Sequence, residues 1–125
     1  MRLPVLVIDD EPAVLSYIQA ALERSGYKVV CSESGVAALP LLESREFLGV
    51  ICDLRMPGGM DGDDVYAWIS EHRPELAKRF VLQTGDIASE DTIGRLRKTG
   101  APFIEKPFRM REFLSVVEKT MGKAL

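Results

Sequence analysis

Residues 3–10 read LPVLVIDD, an apolar run that ends in two aspartates. Three further runs have the same form: LGVICD ends in Asp53, RFVLQT in Thr84 and APFIEK in Lys106. Apolar runs that do not alternate with polar residues are typical of parallel strands buried on both faces. The carboxyl ends of parallel strands share one edge of an open sheet, where ligands bind. The polar side chains that end these runs are therefore predicted to form one site.

The predicted site has an unbalanced charge. Asp9, Asp10 and Asp53 bring three carboxylates to it, and Lys106 brings one ammonium group. Carboxylates that lie close together repel each other unless a cation lies among them. The remaining charge of about −2 predicts a bound divalent ion, and Mg²⁺ suits carboxylate and water ligands, with Mn²⁺ as an alternative.

The composition is that of an ordinary globular protein. The chain has 125 residues, of which 46% are hydrophobic and 28% are charged, and its formal net charge is −3. This length predicts a single domain over residues 1–125, with enough apolar residues for a hydrophobic core. Lysines and arginines are scattered rather than clustered, so we expect no direct contact with nucleic acid.

The cysteines and the apolar segments favour a cytoplasmic protein. Cys31 and Cys52 lie inside apolar strand runs, where free cysteines behave as small buried hydrophobes, so neither a disulfide framework nor a zinc site is predicted. No apolar stretch approaches the roughly 20 residues of a membrane span. The chain begins directly with a strand rather than a signal peptide, and we expect no membrane contact.

Strand-like and helix-like segments alternate along the whole chain. The predicted strands are Pro4–Ile8, Lys28–Cys31, Leu48–Leu54, Phe80–Thr84 and Pro102–Lys106. The predicted helices are Pro12–Ser25, Ser34–Ser44 with Ser34 as its cap, Asp63–His72, Ser89–Thr99 and Met110–Met121. Five βα units predict a flavodoxin-like (βα)5 fold, a doubly wound, five-stranded parallel sheet in the order 2-1-3-4-5. Pro40 is expected to kink the second helix, and Pro102 favours an edge strand.

Four motifs carry a resemblance to a known family. They are VLVIDDEP, ICDLRMPGGMDG, the TGD after the fourth strand, and GAPFIEKPF. In this order and at these strand ends, they span nearly the whole chain. The chain strongly resembles the receiver domain of two-component response regulators, including the chemotaxis regulators.

The resemblance implies a phosphorylation site at the end of the third strand. Asp53 would be the phosphoacceptor, forming an acyl phosphate. Asp10 would bind Mg²⁺ directly together with Asp53, and Asp9 would do so through water or a more distant contact. The main-chain carbonyl of Arg55 would be a further ligand.

Other positions correspond to the family's phosphate-sensing groups. Lys106 would pair with Asp53 before the reaction and with a phosphoryl oxygen after it, and the Thr84 hydroxyl would bind another phosphoryl oxygen. Phe103 occupies the position of the switching aromatic residue, which would couple the site to the surface of helix four, strand five and helix five; an ordinary core phenylalanine is the alternative. The Lys106–Pro107 peptide bond corresponds to the family's cis peptide.

Two charged residues are expected to tune the loss of the phosphoryl group. Arg55 and Asp86 follow Asp53 and Thr84 by two residues, at positions that influence hydrolysis in receivers. An Arg55–Asp86 pair across the mouth of the site is our hypothesis for shielding the acyl phosphate. The loop PGGMDG holds one more glycine than the commoner form, which is expected to loosen it.

The resemblance also implies partners. A histidine kinase or a histidine phosphotransfer protein would donate the phosphoryl group, and dimerisation through the helix four–strand five–helix five face is a further option. The protein would be a substrate and self-catalyst rather than a turnover enzyme. Its output domain or output protein is not identified by the sequence, and stand-alone receiver, fragment of a regulator and part of a hybrid kinase all stay open.

Three other functions compete with this interpretation. A Mg²⁺-dependent aspartyl-phosphate phosphatase of the haloacid-dehalogenase type needs a second aspartate two residues after its nucleophile, and Arg55 stands there. A flavodoxin-like FMN binder needs hydroxyl and N–H groups after the first strand, where this chain has acidic residues. A degenerate receiver that acts only as an interaction module is disfavoured because all five site positions are filled.

Overall fold

A parallel sheet of five strands organises the protein. The computed structural model describes residues 2–124. The strands are β1 (Val5–Ile8), β2 (Val29–Ser32), β3 (Gly49–Asp53), β4 (Phe80–Thr84) and β5 (Phe103–Glu105). They pair in parallel in the order β2-β1-β3-β4-β5, which confirms the predicted doubly wound fold.

Within residues 2–124, six helices connect and cover the strands, one more than predicted. They are α1 (Pro12–Arg24), α2 (Gly35–Ser44), α3 (Gly62–His72), α4 (Pro74–Ala77), α5 (Glu90–Thr99) and α6 (Met110–Met121). The additional helix α4 has only four residues, too few to show an apolar period. It begins with Pro74, which is well suited to the first helical position because its missing N–H would be unpaired there. The predicted helices four and five therefore correspond to α5 and α6.

The core consists of two apolar clusters, one on each face of the sheet. Side chains alternate between the faces along a strand, so Leu82 joins the cluster beneath α2 and α3, whereas Val81 joins the cluster beneath α1 and α6. β1, β3 and β4 are buried along their whole length, as predicted. The edge strands differ: in β5 only Ile104 is buried, because this strand has a neighbour on one side only.

Local sequence signals explain where α2 begins and where α5 ends. The Ser34 hydroxyl accepts a hydrogen bond of 3.0 Å from the Ala37 N–H and caps α2, which continues past Pro40 to Ser44. Gly100 ends α5 with a φ of 70°, a left-handed conformation that glycine adopts without strain. The Lys106–Pro107 peptide bond is cis, as the resemblance implied. Among residues 2–124, no helix has the length and apolar character needed to cross a membrane.

Candidate functional site

The carboxyl edge of the sheet brings the predicted site residues together. Asp53 ends β3, and Asp9 follows β1, where its N–H donates a 3.1 Å hydrogen bond to the Ser32 carbonyl and extends the strand pairing. Asp9 is 0% exposed and Asp53 is 8% exposed. Two carboxylates are therefore held in the interior by the strands themselves.

A possible metal-binding cluster is formed by Asp9, Asp10 and Asp53. One carboxylate oxygen from each residue lies within 4.8 Å of the others. Three hard oxygen donors at this spacing fit a divalent cation such as Mg²⁺, which keeps several water ligands of its own. The chemistry of the donor set thus agrees with the charge balance predicted from the sequence.

Lys106 is the cation that holds the carboxylates together. Its Nζ lies 2.9 Å from Asp9 Oδ2 and 3.2 Å from Asp53 Oδ1. The predicted pair with Asp53 is present, but the shorter contact is with Asp9. Burial alone would lower the pKa of the Lys106 ammonium group, but its hydrogen bond to Asp9 and the charge of Asp53 raise that pKa above its usual value.

The surroundings of Asp53 disfavour the ionised form of its carboxyl group. The pKa of its carboxyl group is raised from 3.8 to about 6, chiefly by burial, because charge is disfavoured away from water. Lys106 lowers this pKa by its charge and its hydrogen bond, whereas the charges of Asp9 and Asp10 raise it. A cation bound beside Asp53 would therefore stabilise the ionised carboxylate.

A small cavity opens directly onto Asp53. It has a volume of about 190 Å³ and is lined by Glu11, Asp53, Arg55, Thr84, Gly85, Asp86 and Lys106. The Thr84 hydroxyl donates to the Asp86 carbonyl at 3.1 Å and accepts from the Asp86 N–H at 3.2 Å. Thr84 thus lines the cavity while its hydroxyl closes a turn of its own loop.

The prediction of an Arg55–Asp86 ion pair is wrong. Arg55 Nη2 instead lies 3.0 Å from Asp91 Oδ2 and donates a 2.7 Å hydrogen bond to Thr92 Oγ1, both in the first turn of α5. The Asp86 carboxylate is occupied elsewhere, because it accepts hydrogen bonds from the N–H groups of Ala88 and Ser89. Arg55 still lines the cavity, but it links the site to α5.

Hydrogen bonds close the loop between β3 and α3 at both of its ends. Asp61 Oδ1 accepts a 2.8 Å hydrogen bond from the Met56 N–H, and the Gly62 N–H donates a 2.8 Å hydrogen bond to the Leu54 carbonyl. A Cβ atom at Gly62 would lie 2.5 Å from the Asp53 carbonyl oxygen, so only glycine fits there. The two glycines of the expected loose segment, Gly58 and Gly59, are exposed and have φ values of 93° and 85°.

Phe103 lies on the surface rather than in the core. It is 46% exposed, and it lines an apolar groove together with Ile87, Ile93 and Leu96. The alternative of a core phenylalanine is therefore wrong. The groove lies on α5 and β5, which correspond to the predicted helix four and strand five.

Several residues around the site were not identified from the sequence. Arg95 of α5 binds the Asp61 carboxylate at 2.7 Å and the Asp63 carboxylate at 2.6 Å, and Thr92 is buried beside Arg55. These contacts join elements that are distant in the chain, so no local pattern indicates them. Gln83 is different, because a glutamine inside the apolar run RFVLQT was a visible anomaly.

The doubly wound sheet with acidic groups and a lysine at its carboxyl edge defines a class of α/β protein that binds ligands at that edge. Residues 5–118 match the model of the response regulator receiver domain. The chain belongs to this family and is a receiver domain of two-component systems.

Curated relatives support this assignment. The chain is 32% identical over 119 residues to the response regulator protein FleR of Pseudomonas aeruginosa, covering 95% of this chain and 24% of that protein. It is 34% identical over 125 residues to the sensor protein GacS of Pseudomonas syringae pv. syringae, covering 97% of this chain and 14% of that protein. The chain thus spans less than a quarter of the length of either relative.

A solved structure has the same fold. The receiver domain of a sensor histidine kinase from Pseudomonas aeruginosa superposes with a TM-score of 0.84 at 22% identity, covering 98% of this chain and 100% of that one. That structure has a magnesium ion coordinated in its active-site cleft.

Proposed function

We propose that residues 1–125 form a single receiver domain in which Asp53 accepts a phosphoryl group from a histidine kinase or a histidine phosphotransfer protein. The observation that supports this most is the position of the Asp53 carboxylate. It opens onto a cavity, lies beside two other carboxylates and contacts the Lys106 ammonium group at 3.2 Å. A carboxylate that opens onto a cavity and lies beside a cation has the access and the charge that a nucleophile needs, which supports this role for Asp53.

The reaction is a phosphoryl transfer. A carboxylate oxygen of Asp53 forms a bond to phosphorus, while the bond from phosphorus to the donor breaks and the donor keeps the electron pair. Lys106 turns from the Asp53 carboxylate to a phosphoryl oxygen and offsets its charge. The Thr84 hydroxyl leaves the turn with Asp86 and donates to a second phosphoryl oxygen.

The residues that would hold Mg²⁺ are Asp10 and Asp53 directly, Asp9 through water and Arg55 through its main-chain carbonyl. When bound there, Mg²⁺ would supply positive charge that offsets the repulsion between the anionic carboxylate and the anionic donor. Mn²⁺ offers the same chemistry with similar oxygen ligands. The magnesium ion in the related kinase receiver domain supports this choice of metal.

The protein's own residues carry out both phosphorylation and its reversal, so it acts as a self-catalysing substrate. Arg55 and Asp86 line the entrance and tune the access of water to the acyl phosphate. Phosphorylation changes the face made by α5, β5 and α6, where Phe103 turns inward when Thr84 moves. This face then binds the output domain, an output protein or a second receiver.

The test uses the purified protein with Mg²⁺ and either acetyl phosphate or beryllofluoride. Intact mass should show an added phosphoryl group on wild type, and Trp68 fluorescence should report the beryllofluoride adduct. Asp53→Asn should show neither response. Glu11→Gln is the matched control, because Glu11 lines the same cavity but has no assigned role in the reaction. An adduct on Asp53→Asn, or none on wild type, would contradict the proposal.

A further inference from the structure

Gln83 is a buried polar residue without an evident purpose. It is 0% exposed, and neither its amide nitrogen nor its amide oxygen has a hydrogen-bond partner within residues 2–124. Such burial is unfavourable, because both groups have given up hydrogen bonds to water without replacement. An apolar side chain of the same size would avoid this loss. A glutamine at this position is explained if another state of the protein provides hydrogen-bond partners for its amide.

The position of Gln83 in the sheet brings it next to the phosphorylation site. β4 lies between β3 and β5, and Gln83 is in register with Asp53 on one side and Ile104 on the other. Gln83 shares a face with Val81, which packs in the cluster beneath α1 and α6. Asp53 lies on the same face, two residues after Ile51 of that cluster.

The side chain of Lys106 must cross β4 to reach its partners. Lys106 follows β5, yet its Nζ contacts Asp53 at the end of β3 and Asp9 beyond β1. The lysine therefore passes over the end of the strand that carries Gln83. An ammonium group has three N–H donors, and these two carboxylates account for two of them.

We propose that Gln83 is a positioning residue that bridges Lys106 and Asp53 in the phosphorylated protein; this inference rests on the proposed function. When Asp53 becomes an acyl phosphate, its carboxyl group loses its charge and holds Lys106 less strongly. Lys106 turns to a phosphoryl oxygen, and the Gln83 amide oxygen accepts one of its N–H groups. The Gln83 amide nitrogen donates to the carbonyl oxygen of the modified Asp53. Both amide groups are then paired.

This pairing shifts the equilibrium between the unphosphorylated and phosphorylated conformations. The amide is unpaired in the unphosphorylated protein and paired in the phosphorylated one, so it favours the second state. A ligand or modification shifts an equilibrium only by its different interactions with the two states, and Gln83 supplies such a difference. Gln83 thus strengthens the response without touching the phosphoryl group itself.

The experiment compares Gln83→Met with wild type. Methionine removes both hydrogen-bonding groups at nearly constant volume. Leu82→Met is the matched control, because Leu82 is equally buried on the opposite face of the same strand and Leu-to-Met changes conserve volume. Beryllofluoride affinity is measured at saturating Mg²⁺ by amide NMR, and thermal unfolding checks that each variant folds. Gln83→Leu is a second variant in case methionine packs poorly.

The expected result is a beryllofluoride dissociation constant at least about tenfold higher in Gln83→Met and Gln83→Leu, since both variants lack two hydrogen bonds and one buried hydrogen bond to a charged group alone corresponds to about that factor. Leu82→Met should bind like wild type. The side-chain NH₂ resonances of Gln83 should shift when beryllofluoride binds wild type. A downfield shift of these N–H protons is the signature of a newly formed hydrogen bond, and a side chain that only fills space would not show it.

Other outcomes separate this inference from the proposed function. Equal affinity of wild type and Gln83→Met, an equal loss in Leu82→Met, or unmoved Gln83 resonances would overturn the role of Gln83 while leaving Asp53 as acceptor. A buried water that pairs the amide in both states would overturn it as well. Failure of wild type to bind beryllofluoride would contradict the proposed function itself.

Discussion

Burial of the Asp53 carboxylate destabilises the protein at neutral pH when no metal ion is bound. The pKa of the Asp53 carboxyl group is raised to about 6, chiefly by burial, so the folded state binds a proton more tightly than the unfolded state does. Its contribution to stability is therefore full below about pH 4 and is lost as the pH rises through 6. At neutral pH the ionised carboxylate opposes folding, and a neutral side chain would not.

We predict that Asp53→Asn stabilises the protein in chelator. The gain in the free energy of unfolding should be up to about 3 kcal/mol at pH 8 and should vanish near pH 4, where wild-type Asp53 is protonated. Lys106 keeps Asp9 as its partner in the variant. Urea unfolding at pH 4, 6 and 8 measures this. Glu43→Gln, at an exposed position on α2, should show no such pH dependence. A gain that persists at pH 4, or a loss at pH 8, would contradict the prediction.

Two arginines join the elements next to the site, one extending toward α5 and the other extending from it. Arg55, from the loop after β3, reaches α5 at Asp91 and Thr92. Arg95, from α5, reaches back to Asp61 and to the first turn of α3. The Arg95 contacts are the better shielded, because its side chain is 20% exposed compared with 49% for Arg55. If α5 moves, these contacts must either break or move together with the helix.

Arg95→Met should destabilise the protein by about 1–3 kcal/mol, because it leaves two partly buried carboxylates without their cation. Arg95 lowers the pKa of the Asp63 carboxyl group, so this interaction is present at neutral pH and is lost as the pH falls below about 4. Lys78→Met is the control: Lys78 pairs with Glu75 at 3.4 Å on the open surface, and its loss should cost less than about 0.5 kcal/mol. Urea unfolding at pH 7 and pH 3 compares the variants; equal effects of both substitutions would rule this account out.

Negative charge is concentrated at the carboxyl edge of the sheet, where Asp9, Asp10 and Asp53 lie together. A cation bound there should therefore raise the free energy of unfolding of the whole domain. An ion that binds only the folded state, at about 100 times its dissociation constant, adds about 2.7 kcal/mol. We predict a saturable rise in melting temperature with Mg²⁺ for wild type and a much smaller rise for Asp10→Asn. NaCl of the same ionic strength is the control for screening. An equal rise with NaCl, or an undiminished rise in Asp10→Asn, would count against a specific metal site.

Much of this protein could be predicted from its sequence because the decisive signals are local. Each central strand is a continuous apolar run, and parallel pairing brings the residues after such runs to one edge of the sheet. The convergence of Asp9, Asp53 and Lys106 follows from that rule alone. Helix ends are also local: Ser34 caps its helix through an N–H three residues away, and Gly100 needs only its own backbone freedom.

Tertiary structure decided the remaining features, since they depend on how elements meet. Arg55 pairs with α5 instead of Asp86 because the packing of α5 brings Asp91 and Thr92 within reach. Phe103 is exposed because β5 is an edge strand, a fact about the sheet and not about the residue. The sequence by itself determined the fold and the charges of the site, through patterns only a few residues long. The partners of those charges were decided by contacts between residues far apart in the chain, which no local pattern encodes.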